Sequence, residues 1–206
     1  MTRRARPTAR AGPADGWTRL VGPLGPGASA AVLGSALAGG VAAGLGATGR
    51  VGPGRGLLDG LVAADLVGGL VTFQLPPTRR QYARSSPRAR LTFVLLHLHP
   101  FALPLTRQGG WRRAVSRYAA AVAATGALEV LCARSASRRT VANIVATAAA
   151  VVDGATTRTG PRWFGPVYLA KLIGGHGGIP RAPLDVRARR GSSRRCSRWR
   201  RACCRR

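Results

Sequence analysis

The sequence predicts an all-α fold, a polytopic transmembrane helix bundle of about six helices with the last one short or interfacial. Three observations carry that expectation. The chain of 206 residues is 46% hydrophobic, and its apolar residues gather into separate runs. Of its six acids, Asp15, Asp59, Asp65, Glu129, Asp153 and Asp185, the four from Asp59 to Asp153 fall inside or at the end of those runs, while arginine crowds the gaps. A soluble domain covers its core with mixed charges, and a net charge of +27 with so few acids leaves no such surface. Cations between apolar runs suit loops that meet anionic headgroups. The same charge would steer a soluble protein to nucleic acid, but the runs are too long and too apolar for that class.

Residues 1–27, rich in Arg, Pro and Gly, read as a flexible basic arm. The run 28–48 follows, longer than the apolar region of a signal peptide, and is the first span. It places Gly40 and Gly44 in G-x-x-x-G spacing, which lets helix backbones approach closely in lipid. The second span, 56–75, sets Gly60, Ala64 and Gly68 four apart as one smooth ridge, with Asp65, Gly69 and Thr72 on a neighbouring face. Asp59 lies about 120° around the helix from Asp65. Pro76 and Pro77 stop this helix. The third run, 91–106, is short and interrupted by Pro100 and Pro104; the fourth, 113–133, carries Glu129 and Cys132; the fifth, 139–156, carries Asn143 and Asp153. The sixth, 163–179, barely reaches the roughly 20 residues that a crossing helix needs. It either crosses or lies at the interface, where Trp163 and Tyr168 would be at home.

With a cytoplasmic N-terminus, the richly basic segments 76–90 and 134–138 fall inside, and the less basic 49–55, 107–112 and 157–162 fall outside. An even number of spans returns the Arg-rich tail, 180–206, to the same side, so the positive-inside rule favours a multi-pass protein of the cell membrane with both termini cytoplasmic. The tail lacks apolar periodicity and is expected to be disordered, either as an anionic-lipid or nucleic-acid tether or as an unselected extension. The four cysteines, Cys132, Cys196, Cys203 and Cys204, match neither a disulfide framework nor a zinc spacing.

Carboxylates inside apolar runs are costly and mark sites to explain. Asp65 sits near the middle of a span beside Gly68 and Gly69, and Lys171, the one lysine in the chain, is the cation available deep in another run. Their pairing could be a helix-packing contact or a working site. His97 and His99 precede Pro100. In a regular helix they would point about 200° apart, but a residue before proline is biased out of the helix, and local unwinding would bring both rings to one side. Asp65, His97, His99 and Lys171 form the candidate polar cluster. No H-E-x-x-H or comparable spacing assigns a metal, no phosphate or dinucleotide loop appears, and the sequence names no cofactor. Arg79, Arg80 and Tyr82, directly after the second span, are candidate contacts for headgroups or another anion.

The strings A-D-L-V-G-G, T-x-R-R-Q-Y, L-H-L-H-P-F and W-F-G-P-V-Y-L-A-K-L-I resemble a group of small uncharacterised bacterial integral membrane proteins over about residues 57–176. The resemblance implies a polytopic fold, brings no activity with it, and makes Asp65, Arg80, Tyr82, His97, His99 and Lys171 the positions to test. Three functions fit the residues. One is a small transporter or membrane scaffold built on the polar cluster. The second is a membrane-embedded, metal-assisted hydrolase acting on lipid. The third is a tether that holds anionic lipid or nucleic acid through the basic arms. The expected partners are the bilayer, its anionic headgroups and further copies of the chain, with nucleic acid disfavoured.

Overall fold

A computed structural model describes residues 17, 18 and 21–182; most of the N-terminal arm and nearly all of the tail lie outside these residues, and so do three of the four cysteines. The described secondary structure is entirely helical. Helix α1 (Pro26–Val51) and α2 (Pro53–Thr72) form an antiparallel pair. Gly52, at φ +86°, makes the turn between them, a backbone conformation that only glycine adopts without strain, and Pro53 starts the next helix where its missing N–H costs nothing. Pro76 and Pro77 start a short α3 (Pro76–Ala83), bent 87° away from α2.

Small residues set the α1–α2 seam. A Cβ added to Gly40 would lie 2.9 Å from the Gly60 carbonyl oxygen, and one added to Gly60 would lie 2.9 Å from that of Gly40. Gly44 meets Gly56, and Gly68 meets Ala36, in the same way. The Gly40–Gly44 spacing and the Gly60–Ala64–Gly68 ridge therefore do pack together, and Gly56 extends the seam by one turn.

The third expected span is not one helix. Residues 87–106 fold as α4 (Pro87–Leu95), a 3-10 turn (His99–Phe101) and α5 (Ala102–Leu105), because Pro100 and Pro104 cannot supply the backbone donors that would join them. The fourth and fifth runs form α6 (Trp111–Leu131) and α7 (Arg138–Thr156). The sixth differs from the interfacial expectation. It is a six-residue α8 (Phe164–Leu169) running into a π-helix (Ala170–Gly177), and it fills the middle of the bundle instead of lying at its edge. Phe164, Tyr168, Leu172 and Ile173 are fully buried, packed among Leu66, Val94, Leu128 and Ala142.

Two helices, α1 and α6, are long and apolar enough to cross a membrane, and the bent α2–α3 pair would be a third. Leu33, Leu37, Val41 and Leu45 stand exposed along α1, and Val130, Leu131, Ile144 and Val151 on α6 and α7, while Arg90, Arg138 and Lys171 are buried.

Candidate functional site

The candidate site forms where the broken segment after α4 meets α2 and the π-helix. His97 and His99 do not sit on opposite sides of a helix. The break at Leu96–Leu98 turns both rings the same way, with centroids 5.3 Å apart. His99 Nε2 lies 3.2 Å from Asp65 Oδ2. His97 Nδ1 lies 2.6 Å from the Phe93 carbonyl oxygen, which can only accept, so this nitrogen carries the proton and Nε2 presents a lone pair. The Tyr168 hydroxyl donates to the His97 carbonyl oxygen at 3.1 Å and pins the break from the core side.

Lys171 arrives from the π-helix, and its side chain is only 2% exposed. Its ammonium donates to Asp65 Oδ2 in a short ion pair and to the Asp65 backbone carbonyl oxygen at 3.1 Å. Gly69 makes that reach possible, since a Cβ there would fall 2.3 Å from Lys171 Cε. The pairing of Gly69 with Asp65 on one helix face thus leaves room for the lysine. All four expected cluster residues, Asp65, His97, His99 and Lys171, come together.

Three of them, Asp65, His97 and Lys171, line a cavity of about 400 Å³. Val32, Leu33 and Ala36 of α1 form its apolar wall, and Phe73, Tyr82 and Phe93 its aromatic one. Tyr82 and Phe93 both pack against the buried His176 ring, with Phe93 stacked at 4.5 Å. Tyr82 therefore turns inward to the cavity. Arg79 is half-buried on α3 and Arg80 exposed, and neither belongs to the cluster.

The remaining acids of the apolar runs are all partnered. Asp59 lies inside the fold. It is buried and accepts from Gln108 Nε2 at 2.5 Å. Asp153 takes the two-pronged Arg117 guanidinium, Nε and one Nη each at 2.8 Å. Glu129 draws three arginines. Arg90 Nε and Arg138 both meet Oε1, the former at 2.7 Å, and Arg181 binds Oε2 through Nε at 2.9 Å. Arg138 Nε also donates to the Gly177 carbonyl oxygen at 2.7 Å, and Arg90 donates to that of Ile179, so the two arginines cap the end of the π-helix. Burial pulls the Arg90 guanidinium down to about 10, against the opposing pull of Glu129, and it remains cationic at neutral pH. Sequence reasoning assigned these arginines to loops. Their only signal was that Arg90 and Arg138 border apolar runs.

No protein-family model matches the chain, and no curated protein or solved structure is significantly similar to it. The function has to be argued from the cluster itself.

Proposed function

We propose that the chain is a multi-pass membrane protein, both termini cytoplasmic, whose working site is the Asp65–His97–His99–Lys171 cluster, and that this site holds the polar head of an amphiphile. One observation carries the reading: a buried lysine and a carboxylate stand at the edge of a cavity whose other walls are apolar and aromatic. A cavity of about 400 Å³ is within the size range of small-molecule sites, and an apolar lining with a few convergent polar groups is their usual composition. An ionisable residue inside an apolar run is a functional-site hypothesis by default. The exposed leucines of α1, next to that cavity, support entry of the amphiphile from the lipid phase. A small transporter or a lipid-holding scaffold fits these features best.

The test has two parts. Membranes containing the full chain are extracted with alkaline carbonate, and the protein is expected in the pellet. The protein purified in mild detergent is then examined by native mass spectrometry for co-purifying lipid. A retained lipid that disappears in Lys171→Met and Asp65→Asn supports the reading. Release into the carbonate supernatant would sink the membrane assignment, and lipid retained equally by both variants would remove the cluster from the function.

A further inference from the structure

We infer that Asp65, His97 and His99 form a binding site for one divalent transition-metal ion, with zinc the best match, and that Lys171 holds the carboxylate in the metal-free protein. This inference rests on the reading of the cluster as the working site and names the ion such a site takes.

One donor atom from each of the three residues lies within 4.8 Å of the other two. Two of them already have metal-site spacing. His99 Nε2 and Asp65 Oδ2 are 3.2 Å apart, against about 3.4 Å for the edge of a tetrahedron with ligand bonds of roughly 2.0–2.1 Å. The two edges to His97 are each at most 4.8 Å, so closing both needs a shift of up to roughly 1.4 Å, within reach of χ rotations of rings at a helix break. His97 is prepared for ligation, because the Phe93 carbonyl oxygen on its Nδ1–H is the outer support that metal-binding histidines usually have. On His99 the Nδ1 is buried with no hydrogen-bond partner among the described residues, so ligation through Nε2 would leave this ring without the outer support that His97 has.

Two imidazoles and a carboxylate are a ligand set of catalytic zinc sites. Three protein ligands leave a fourth position open, as in catalytic rather than structural zinc sites. Here Asp65 and His97 border the cavity, so that position faces it.

Lys171 makes the site conditional. Its ammonium is ion-paired with the same Asp65 Oδ2 that lies nearest to His99. An ammonium and a divalent cation on one carboxylate repel each other, so metal entry has to displace the lysine. As the one lysine of the chain, Lys171 reports its own displacement to amine-reactive reagents when the labelled site is located by peptide mass mapping.

The experiment uses the full chain in detergent, stripped with a chelator, titrated with cobalt(II) and followed by its visible absorption, with zinc as competitor. One ion per chain is expected. His97→Ala and His99→Ala should each weaken binding by at least about 100-fold while the helical circular dichroism is retained. His99, the more exposed of the two, keeps the test decisive if His97→Ala unfolds. Lys171→Met should tighten binding by about tenfold or more. Zinc should also accelerate acylation of Lys171 in the unsubstituted protein. Absence of stoichiometric binding, or binding unchanged by both histidine substitutions, overturns the site. Binding that Lys171→Met leaves unchanged or weaker overturns the lysine's role. A chain that stays in carbonate-washed membranes and retains lipid, yet binds no metal, refutes this inference alone. A chain released from the membrane refutes the reading beneath it.

Discussion

Replacing Glu129 with Gln keeps its size, exchanges one acceptor oxygen for an amide donor and removes one charge. In the folded protein that charge faces Arg90, Arg138 and Arg181, and the first two have fully buried side chains. Removing one partner of a buried ion pair costs about 3–5 kcal/mol, because the other charge is left uncompensated. Three pairs do not triple the cost here. Arg90 and Arg138 keep their bonds to the backbone carbonyls of Ile179 and Gly177, and Arg181 is a quarter exposed. A loss of about 4 kcal/mol is therefore expected. For a chain of this length, each kcal/mol moves the thermal midpoint by roughly 2–4 °C, giving a fall of about 8–16 °C. The assay is thermal unfolding of the purified protein in detergent, followed by circular dichroism. The double variant Glu129→Gln, Arg138→Met removes a stranded charge and should recover at least half of the loss. A midpoint within about 2 °C of the unsubstituted protein, or a double variant as unstable as the sum of its parts, would refute the assignment of Glu129 as the counter-charge of the π-helix end.

Other expectations follow from the seams and pairs described above. Gly60→Val drives its side chain into the Gly40 carbonyl, which is backbone and cannot yield, and should cost about 1–3 kcal/mol in a thermal melt. Gly46→Ala, which faces open space on the same pair of helices, should stay within about 0.5 kcal/mol of the parent or exceed it. Arg117→Lys keeps the charge but loses the two-pronged contact with Asp153, and should lower stability by about 2 kcal/mol in chemical denaturation. Gly69→Ala displaces the Lys171 side chain from Asp65 and should raise the acylation rate of Lys171 severalfold, read by peptide mass mapping. An unchanged rate would show that the lysine does not depend on that gap.

Parts of this arrangement were legible before any coordinates. The Gly40–Gly44 and Gly60–Ala64–Gly68 spacings are properties of single helices, so helical periodicity alone places each on a face. The turn of His97 and His99 to one side follows from the local effect of Pro100. The pairing of Asp65 with Lys171 was reachable because the chain has one lysine. What stayed hidden depends on contacts between distant segments. Run length shows whether a segment could cross a membrane, but not that residues 91–106 are cut in three or that residues 163–179 turn into the core. Arginine in a gap between runs looks the same whether it meets a headgroup or, like Arg90 and Arg138, folds inward onto a carboxylate. Gln108 and Asp59 likewise carry no local sign of each other.

The three arginines around Glu129 also impose an order on biogenesis. Arg90 is made before α6, Arg138 nine residues after Glu129, and Arg181 only after the whole bundle, 52 residues on. An arginine of an earlier segment is already made when the carboxylate of α6 is added, and Arg181 is the last of the three to be made. Released chains truncated just before Arg181 should hence be more open to protease than released chains ending a few residues beyond it, a step that limited proteolysis would detect. If protection rose smoothly through that point, closure around Glu129 would not be the event that completes the fold.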